Sequence, residues 1–532
     1  MGKYFVGIDF GTTNSSVAVI DEAAMKAKEL QLMNGYGPDR YLLRTLLAFL
    51  PSGQISVEET GTSDPERRIE SFKRRIMEDS AYTFSVDEVT YTSSQLISIF
   101  LRELLHQSGI EAKDVKRLVL SVPTHYNEDL KNIMEKAAVD IGIDRNCVWF
   151  IDEPVSVLWN YQQQLSSGKL LLVFDFGGGT LDLAVMNRND NSSGINSMAH
   201  LFDGASKNSN FSKGKVLAKK GIEIGGDDLD EVIMRLMLEE GQRQHNAVCE
   251  QLDLTLFDDL SRIANFRTHT RTRMLYNRLK RLAETVKIQL SNQDSVTVSV
   301  PPLMPKHDLV GIRDISLTAE QFYDRAGHIW DAIRNSIKQL EFDLNTHGLS
   351  LSDIDTILLS GGSCKVPFVL DILEELLPNA KLSFDSNMQT SICKGNANYS
   401  YHDDEVMIGD FVNSSYGLYS HLHSLSKEVV DSTAEYPITV KKRLATGRPY
   451  QDAIRIVPMV RKGDEADYSP IRKNGQPISF SMKITPLQEA KNYDRITVDF
   501  TIDKSQKLKI TAYDNATKKP IGVEELSLHD ID

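Results

Sequence analysis

The residues best equipped for chemistry sit in two short turns, Asp9-Phe10-Gly11-Thr12-Thr13-Asn14 and Asp175-Phe176-Gly177-Gly178-Gly179-Thr180. Glycine lets backbone N–H groups come close to a phosphate, and consecutive amides in a tight turn form an anion-binding concavity. Thr12, Thr13 and Thr180 add hydroxyl donors. Asp9 and Asp175 would repel a phosphate directly; they fit if Mg²⁺ with its waters lies between carboxylate and phosphate. One such turn alone reads as an ordinary tight hairpin. Two matched copies point to a shared phosphate site.

The match is an internal repeat. An offset of 166 positions places Asp9, Phe10 and Gly11 on Asp175, Phe176 and Gly177, and Ala18-Val19 on Ala184-Val185. Strand, Asp-Phe-Gly turn and returning strand therefore occur twice. The spacing is far from a solenoid period, so two similar lobes are expected, each offering one turn to a common cleft.

Three further stretches suit a nucleotide pocket, each weakly when taken alone. Gly225-Gly226-Asp227-Asp228-Leu229-Asp230 would start a helix against a ligand, or serve only as a helix cap. Gly361-Gly362-Ser363 follows an apolar run as a strand-to-helix turn. Glu284, Lys287 and Ser291 share one helical face, which reads equally as a solvated charged surface. No G-x-x-x-x-G-K-[ST] loop and no protein-kinase motif set is present.

The elements around these motifs alternate. Residues 3–8 and 17–20 read as a buried strand and its hairpin partner, 93–108 and 128–141 as helices, and 118–122 as a short buried strand. Residues 187–220 read as a polar loop or hairpin excursion, 229–290 as mostly helical, and 366–377 as a helix. Tyr401 to Asp410 is short, acidic and irregular, the best linker. Beyond it, runs at 454–457, 478–482, 496–500 and 508–512 alternate with period two, as in a small antiparallel β domain.

Composition narrows the class. Sixty Lys and Arg against 74 Asp and Glu leave a net charge of −14, which argues against nucleic acid or an anionic membrane as partner. The longest tight apolar run, Leu170 to Phe174, is far short of a membrane span, and the first residues hold no signal-peptide core. Cys147, Cys249, Cys364 and Cys393 are scattered, without C-x-x-C spacing, so a reducing, cytoplasmic compartment is expected.

The segments Gly7 to Ser15, Phe174 to Asp182, Gly225 to Asp230 and Gly361-Gly362-Ser363 occur in an order that resembles the seventy-kilodalton heat-shock chaperones. Ser71-Phe72-Lys73-Arg74, Val122-Pro123 and Asp152-Glu153-Pro154 belong to the same resemblance, which covers nearly the whole chain. It implies an α/β, actin-like (ribonuclease-H-like, duplicated) ATPase domain over 1–400, a linker at 401–410, and a small all-β sandwich domain over 411–532 that grips extended peptides. Asp9, Asp175 and Asp182 would stand around Mg²⁺ and the attacking water, Asp9 and Asp175 reaching the metal through water. Lys73 would lie near the γ-phosphate, and Glu153 would be the cleft glutamate. Gly11, Thr12, Thr13, Asn14, Gly177, Gly178, Gly179 and Thr180 would line the phosphates of ATP or ADP. Glu284, Lys287 and Ser291, with Gly226, Gly362 and Ser363, would hold adenosine, and Gly225, Asp227 and Gly361 would also contact the nucleotide. Pro123 takes a position tied to interdomain signalling. The choice among Glu153, Asp175 and Asp182 for handling the water stays open.

The implied activity is slow ATP hydrolysis that gates binding and release of unfolded peptide, with J-domain and nucleotide-exchange co-chaperones as partners. Two other readings share the superfamily: a metabolite kinase, and a filament or scaffold protein. Three departures stand out. Gly409 interrupts the linker Val406 to Asp410 where an apolar residue is usual, Gln389 replaces a usual Asp, and the chain ends at Asp532 without the family's helical lid, as expected of a lidless or truncated member.

Overall fold

The computed structural model describes residues 3–527 apart from 22, 25, 38, 59–63, 125–127, 162–169, 189–213, 245–269, 301–311, 386, 402–413, 421–424, 431–437, 447–448, 463–466, 474, 489–494 and 503–506. The linker at 402–410 with Gly409, and Cys249, fall outside the described residues. The chain divides into two compact units: Met1–Tyr126 with Leu130–Ser212 and Leu217–Val406, and Met407–Asp532 with the short pieces Asn127–Asp129 and Lys213–Val216.

The first unit contains two sheets of the same plan. In the first lobe, β1 (Tyr4–Phe10), β2 (Asn14–Asp21), β3 (Lys26–Glu29), β4 (Val115–Val122) and β5 (Val148–Asp152) lie in the order β5-β4-β1-β2-β3, with Leu43–Arg44 paired to β2. In the second, β6 (Leu170–Phe176), β7 (Leu181–Arg188), β8 (Gly214–Ile222), β9 (Thr356–Ser360) and β10 (Lys381–Phe384) lie in the order β10-β9-β6-β7-β8. The first hairpin ladder pairs Val6 with Val19, Gly7 with Ala18, Ile8 with Val17, Asp9 with Ser16 and Phe10 with Ser15. Adding 166 to every number reproduces the second, from Leu172–Val185 to Phe176–Leu181. The repeat in sequence is thus a repeat in register.

Helices cover these sheets. Around the first run α1 (Phe72–Glu78), α2 (Ser93–Gln107), α3 (Glu128–Asp140) and α4 (Glu153–Tyr161). Apolar residues three and four apart on α2, Leu96, Ile97, Phe100, Leu101 and Leu104, are fully buried against Val6, Ile8 and Phe10 of β1. A capping box of Thr92 and Gln95 starts that helix. Around the second lobe run α5 (Gly226–Gln244), α6 (Thr270–Leu290), α7 (Ala319–Arg325), α8 (Gly327–Thr346) and α9 (Pro367–Leu376). All seven residues of β6 are buried, as expected of a strand covered on both faces.

A last helix, α10 (Ser391–Tyr401), follows the second lobe in sequence but packs on the first sheet. The approach is close. A Cβ on Gly7 would lie 2.2 Å from the backbone nitrogen of Ala397, and one on Gly395 would lie 1.7 Å from the carbonyl oxygen of Ser156 on α4. Only glycine fits either place. Asn396 ties the contact, donating to the carbonyl of Ile8 at 2.8 Å and accepting from Ser156 Oγ at 2.6 Å.

From Ser414 onward the described strands of the second unit pair antiparallel. One four-stranded sheet holds Ser414–Ser420, Leu425–Val430, Pro458–Lys462 and Ser469–Pro470; another holds Ile438–Leu444, Ile496–Ile502, Lys507–Asp514 and Lys519–Ser527. Leu418, Val430 and Val460 from the first share one core with Val498, Phe500 and Ile510 from the second.

One expectation needs correction. Of the stretch 187–220, expected as a polar hairpin or loop excursion, residues 187–188 end β7 and 214–220 lie in the neighbouring β8, where Val216, Leu217 and Ala218 are buried rather than polar and exposed. Tertiary burial overrides local composition there. Among the described residues no helix is long and apolar enough to cross a membrane.

Candidate active site

β1 and β6 both end at an Asp-Phe pair followed by glycine, so equal registers carry two equal turns to the same end of each sheet. The turns meet. Asp9, Gly11, Thr12, Thr13 and Asn14 line one cavity together with Asp175, Gly177, Gly178, Gly179 and Thr180. Lys73, Glu153, Gly361 and Gly362 complete its wall, with Leu42, Ser360, Met388, Gln389 and Ile392. A Cβ on Gly178 would stand 2.1 Å from Thr13 Oγ1, so the turns touch and glycine is required between them. Gly361 has φ of +86° and lies against the Phe176 carbonyl, a second place where no side chain fits.

Lys73 comes from α1. Its Nζ donates to Glu153 Oε1 at 2.9 Å, with both side chains buried. Ser71, just before that helix, is held in the left-handed region at φ 49°, a strained setting for a residue with a side chain. Its hydroxyl faces Asp227 Oδ2 at 3.4 Å. Glu153 opens α4, at the helix end that favours negative charge.

The start of α5 is joined to the second turn. Gly226 and Asp227 donate their backbone N–H groups to the carbonyls of Gly177 and Gly178 at 2.9 and 2.8 Å. Ser363 Oγ donates to the Gly177 carbonyl at 2.8 Å. Asp227 accepts from Thr13 Oγ1 at 3.0 Å and pairs with Lys280 at 2.8 Å. On α6, Lys287 Nζ bonds Asp230 Oδ1 at 2.7 Å and the Gly226 carbonyl at 2.9 Å, while Ser291 Oγ turns back onto the Lys287 carbonyl. Glu284 takes both terminal nitrogens of Arg44 at 2.7 and 2.6 Å. Gly225 packs on the Gly178 carbonyl.

Over residues 60–200 and 210–527 the chain matches the model of the Hsp70 protein family. The chain belongs to the Hsp70 family. Membership makes it, in general terms, an ATP-dependent chaperone and an ATPase with an actin-like ATPase fold, and the mixed α/β structure with its several sheets is of that kind. Family members generally bind ATP or ADP with Mg²⁺.

The electrostatics of the cavity follow from its contents. Asp9, Asp175 and Glu153 line the cavity with Lys73, and Asp182 pairs with Asp175 in the β6–β7 ladder behind them. Burial, then the neighbouring Glu153, raises Asp9 to about 7 although Lys73 pulls the other way. Burial and Glu153 likewise raise Asp182 to about 7, against the hydrogen bond from the Thr124 N–H at 2.6 Å. Asp175 is raised well above the ordinary carboxylate range by burial, Glu153 and Asp182. Asp227 behaves oppositely: burial works to raise it, but Lys280, Lys287 and Arg74 together outweigh burial and hold it low.

Oδ1 of Asp175 and Oδ2 of Asp182 are buried without a hydrogen-bond partner. Ser360 lies close enough to favour ionised Asp175 yet makes no well-formed bond to it. Hard, partnerless carboxylate oxygens beside hydroxyls and open amides suit a magnesium ion. Among the described residues no cluster of three or more His, Cys, Asp or Glu is tight enough to hold a metal directly. Mg²⁺ characteristically keeps several of its waters, and the buried oxygens of Asp175 and Asp182 are of the kind that can hold such an ion.

Several contributors carry no motif. Lys280 does have a signal: it lies one turn before Glu284 on the face that continues through Lys287 and Ser291. Arg44 and Thr124 have none. Gln389 accepts from Lys365 Nζ at 3.2 Å, which turns its amide nitrogen toward Gly362 at the cavity wall.

Proposed function

We propose that residues 1–400 bind Mg-ATP between the two turns and hydrolyse it slowly to ADP and phosphate, and that this cycle sets the grip of residues 411–532 on extended, unfolded peptide. The observation that carries the reading is the meeting of two register-equivalent Asp-Phe-Gly turns around a buried Lys73–Glu153 pair.

Phosphoryl transfer to water needs little covalent help; it needs alignment and charge. The amides of the glycine turns and the hydroxyls of Thr12, Thr13 and Thr180 would hold the phosphates. Lys73 would set a positive charge beside the γ-phosphate. Mg²⁺, when bound, neutralises charge on the phosphate oxygens. As the water oxygen bonds to phosphorus and the bond to ADP breaks, a carboxylate takes the water's proton. Asp182 suits that role best, with an affinity for protons near neutral pH and one oxygen held by Thr124. The cavity measures about 80 Å³, whereas ligand pockets run from about 300 Å³ upward, so the lobes must part to admit a nucleotide.

Residues 411–532 are read as a β-sandwich binding peptide by backbone hydrogen bonds and an apolar pocket. J-domain and nucleotide-exchange co-chaperones in the cytoplasm would be the partners. The test is phosphate release from ATP with and without an unfolded peptide, together with peptide off-rates with and without ATP. Turnover in water and faster peptide release with ATP are expected. Sugar-dependent ADP formation would favour a metabolite kinase instead, and nucleotide-dependent sedimentation a filament.

A further inference from the structure

Lys219 on β8 donates to Asp152 Oδ2 at 2.6 Å, and the two side chains are only 3% and 4% exposed. A buried ion pair loses much of its attraction to desolvation, so it is a poor device for stability alone. Its place is more telling. Asp152 ends β5 and immediately precedes Glu153, the first residue of α4. That is the N-cap position, where an Asp carboxylate ordinarily turns onto its own helix's N–H groups. Here one oxygen is drawn across the lobe boundary to β8, while the Asp152 carbonyl accepts from Ser156 Oγ at 3.2 Å.

A second tie runs beside it. Val122, at the end of β4, pairs with Asp152 in the sheet, and Thr124 two residues on donates its N–H to Asp182 at 2.6 Å. Neighbouring strands β4 and β5 of the first lobe are thus joined to neighbouring strands β7 and β8 of the second. One tie ends on Asp182. The other ends on the residue that carries Glu153.

We infer that the Asp152–Lys219 pair is a brace across the lobes that holds Glu153 in its hydrolytic position. The inference rests on reading Lys73 and Glu153 as part of the ATPase machinery. Glu153 is then held twice, at its carboxylate by Lys73 and at its backbone through Asp152. Neither Asp152 nor Lys219 lines the cavity, so both are positioning residues. Without Lys219, the tie from Asp152 to β8 is lost.

The test uses the full chain. Lys219→Met is expected to lower kcat for ATP hydrolysis about tenfold, since small misplacements of reacting groups cost up to about a hundredfold. The Kd for a non-hydrolysable ATP analogue should stay within about twofold of the unaltered protein. The double variant Asp152→Asn with Lys219→Met is expected to stay about as slow as Lys219→Met, because neither can tie the lobes through this pair. An unchanged kcat in Lys219→Met overturns the inference, as does a double variant that recovers most of the lost kcat, since that would trace the loss to an unpaired charge rather than to a lost tie. Should Lys219→Met fail to fold, Asp152→Asn serves in its place, with a severalfold loss in kcat at constant Kd expected and an unchanged kcat overturning the brace. Absence of hydrolysis by the unaltered protein would overturn the ATPase reading and this inference together, whereas normal hydrolysis with an indifferent Lys219→Met overturns the brace alone.

Discussion

Asp182 faces Asp175 in the second hairpin at the ladder position where Ser16 faces Asp9 in the first. The two copies share geometry but not charge. Only the second presents a carboxylate pair, and burial and Glu153 leave Asp182 able to take a proton near neutral pH. Asp182→Ser would make the second hairpin chemically like the first. Because proton-transfer groups contribute about a hundredfold or more, kcat should fall by at least about tenfold with little change in nucleotide Kd. Phosphate release measured against Mg-ATP concentration separates the two, and full turnover in the variant would remove Asp182 from water handling.

Lys73→Ala should abolish hydrolysis and leave ATP binding largely intact. It also strips Glu153 of its partner inside the protein, and breaking a buried pair typically costs about 3–5 kcal/mol of stability. Urea unfolding of Lys73→Ala should therefore show a lower midpoint, partly restored when Glu153→Gln is added. Wild-type turnover in Lys73→Ala would exclude the lysine from the mechanism.

The buried carboxylates at and behind the cavity set a pH trend for the metal-free protein. Asp9 and Asp182 are raised to about 7, against an ordinary value of 3.8. Between those values the folded chain keeps protons that the unfolded chain has lost. Their contribution to stability is thus fully present below about pH 4, is lost as pH climbs toward 7, and is flat above. Asp182→Asn should flatten part of this slope in urea midpoints taken from pH 4 to 8. A variant as pH-sensitive as the parent would contradict the assignment.

Among the described residues, ion pairs Arg44–Glu284 at 2.6 Å, Arg74–Asp228 at 3.2 Å and Arg281–Glu70 at 2.6 Å join the first lobe to α5 and α6 of the second. All are partly exposed, so each is worth no more than about 1 kcal/mol and weakens with salt. Nucleotide dissociation should accelerate severalfold between low and high ionic strength, and Glu284→Gln should blunt that response. Stopped-flow release of a fluorescent ADP would show it. A salt-independent off-rate would mean that the pairs do not restrain opening.

What could be read from the chain, and what could not, divides by range. The turns are legible because close approach of backbone and side chains admits few residue types, and those types stand at fixed spacing around Asp9 and Asp175. The repeat at 166 foretold a shared ladder because a hairpin's register is set by its turn. The face of α2 was equally plain from its apolar spacing. β8 was missed because Lys, Asn and Ser dominate its neighbourhood while the burial of Val216 to Ala218 is a tertiary matter. Arg44–Glu284 and Asp152–Lys219 bring together residues 240 and 67 positions apart, and no local pattern announces such a pair. Gly7, which faces α10, and Gly395 on α10, which faces α4, owe their need for glycine to contacts between distant segments that no local pattern announces.

Carrying both hairpins on one polypeptide has its own outcome. Two separate copies of a single hairpin lobe, meeting as a symmetric dimer, would be bound to present identical side chains to each other. Tethering them frees each half to specialise, so that a lone ammonium group and a lone extra acid can occupy one side only. The tether also fixes their local concentration, and the site assembles without waiting on the abundance of the protein in the cell.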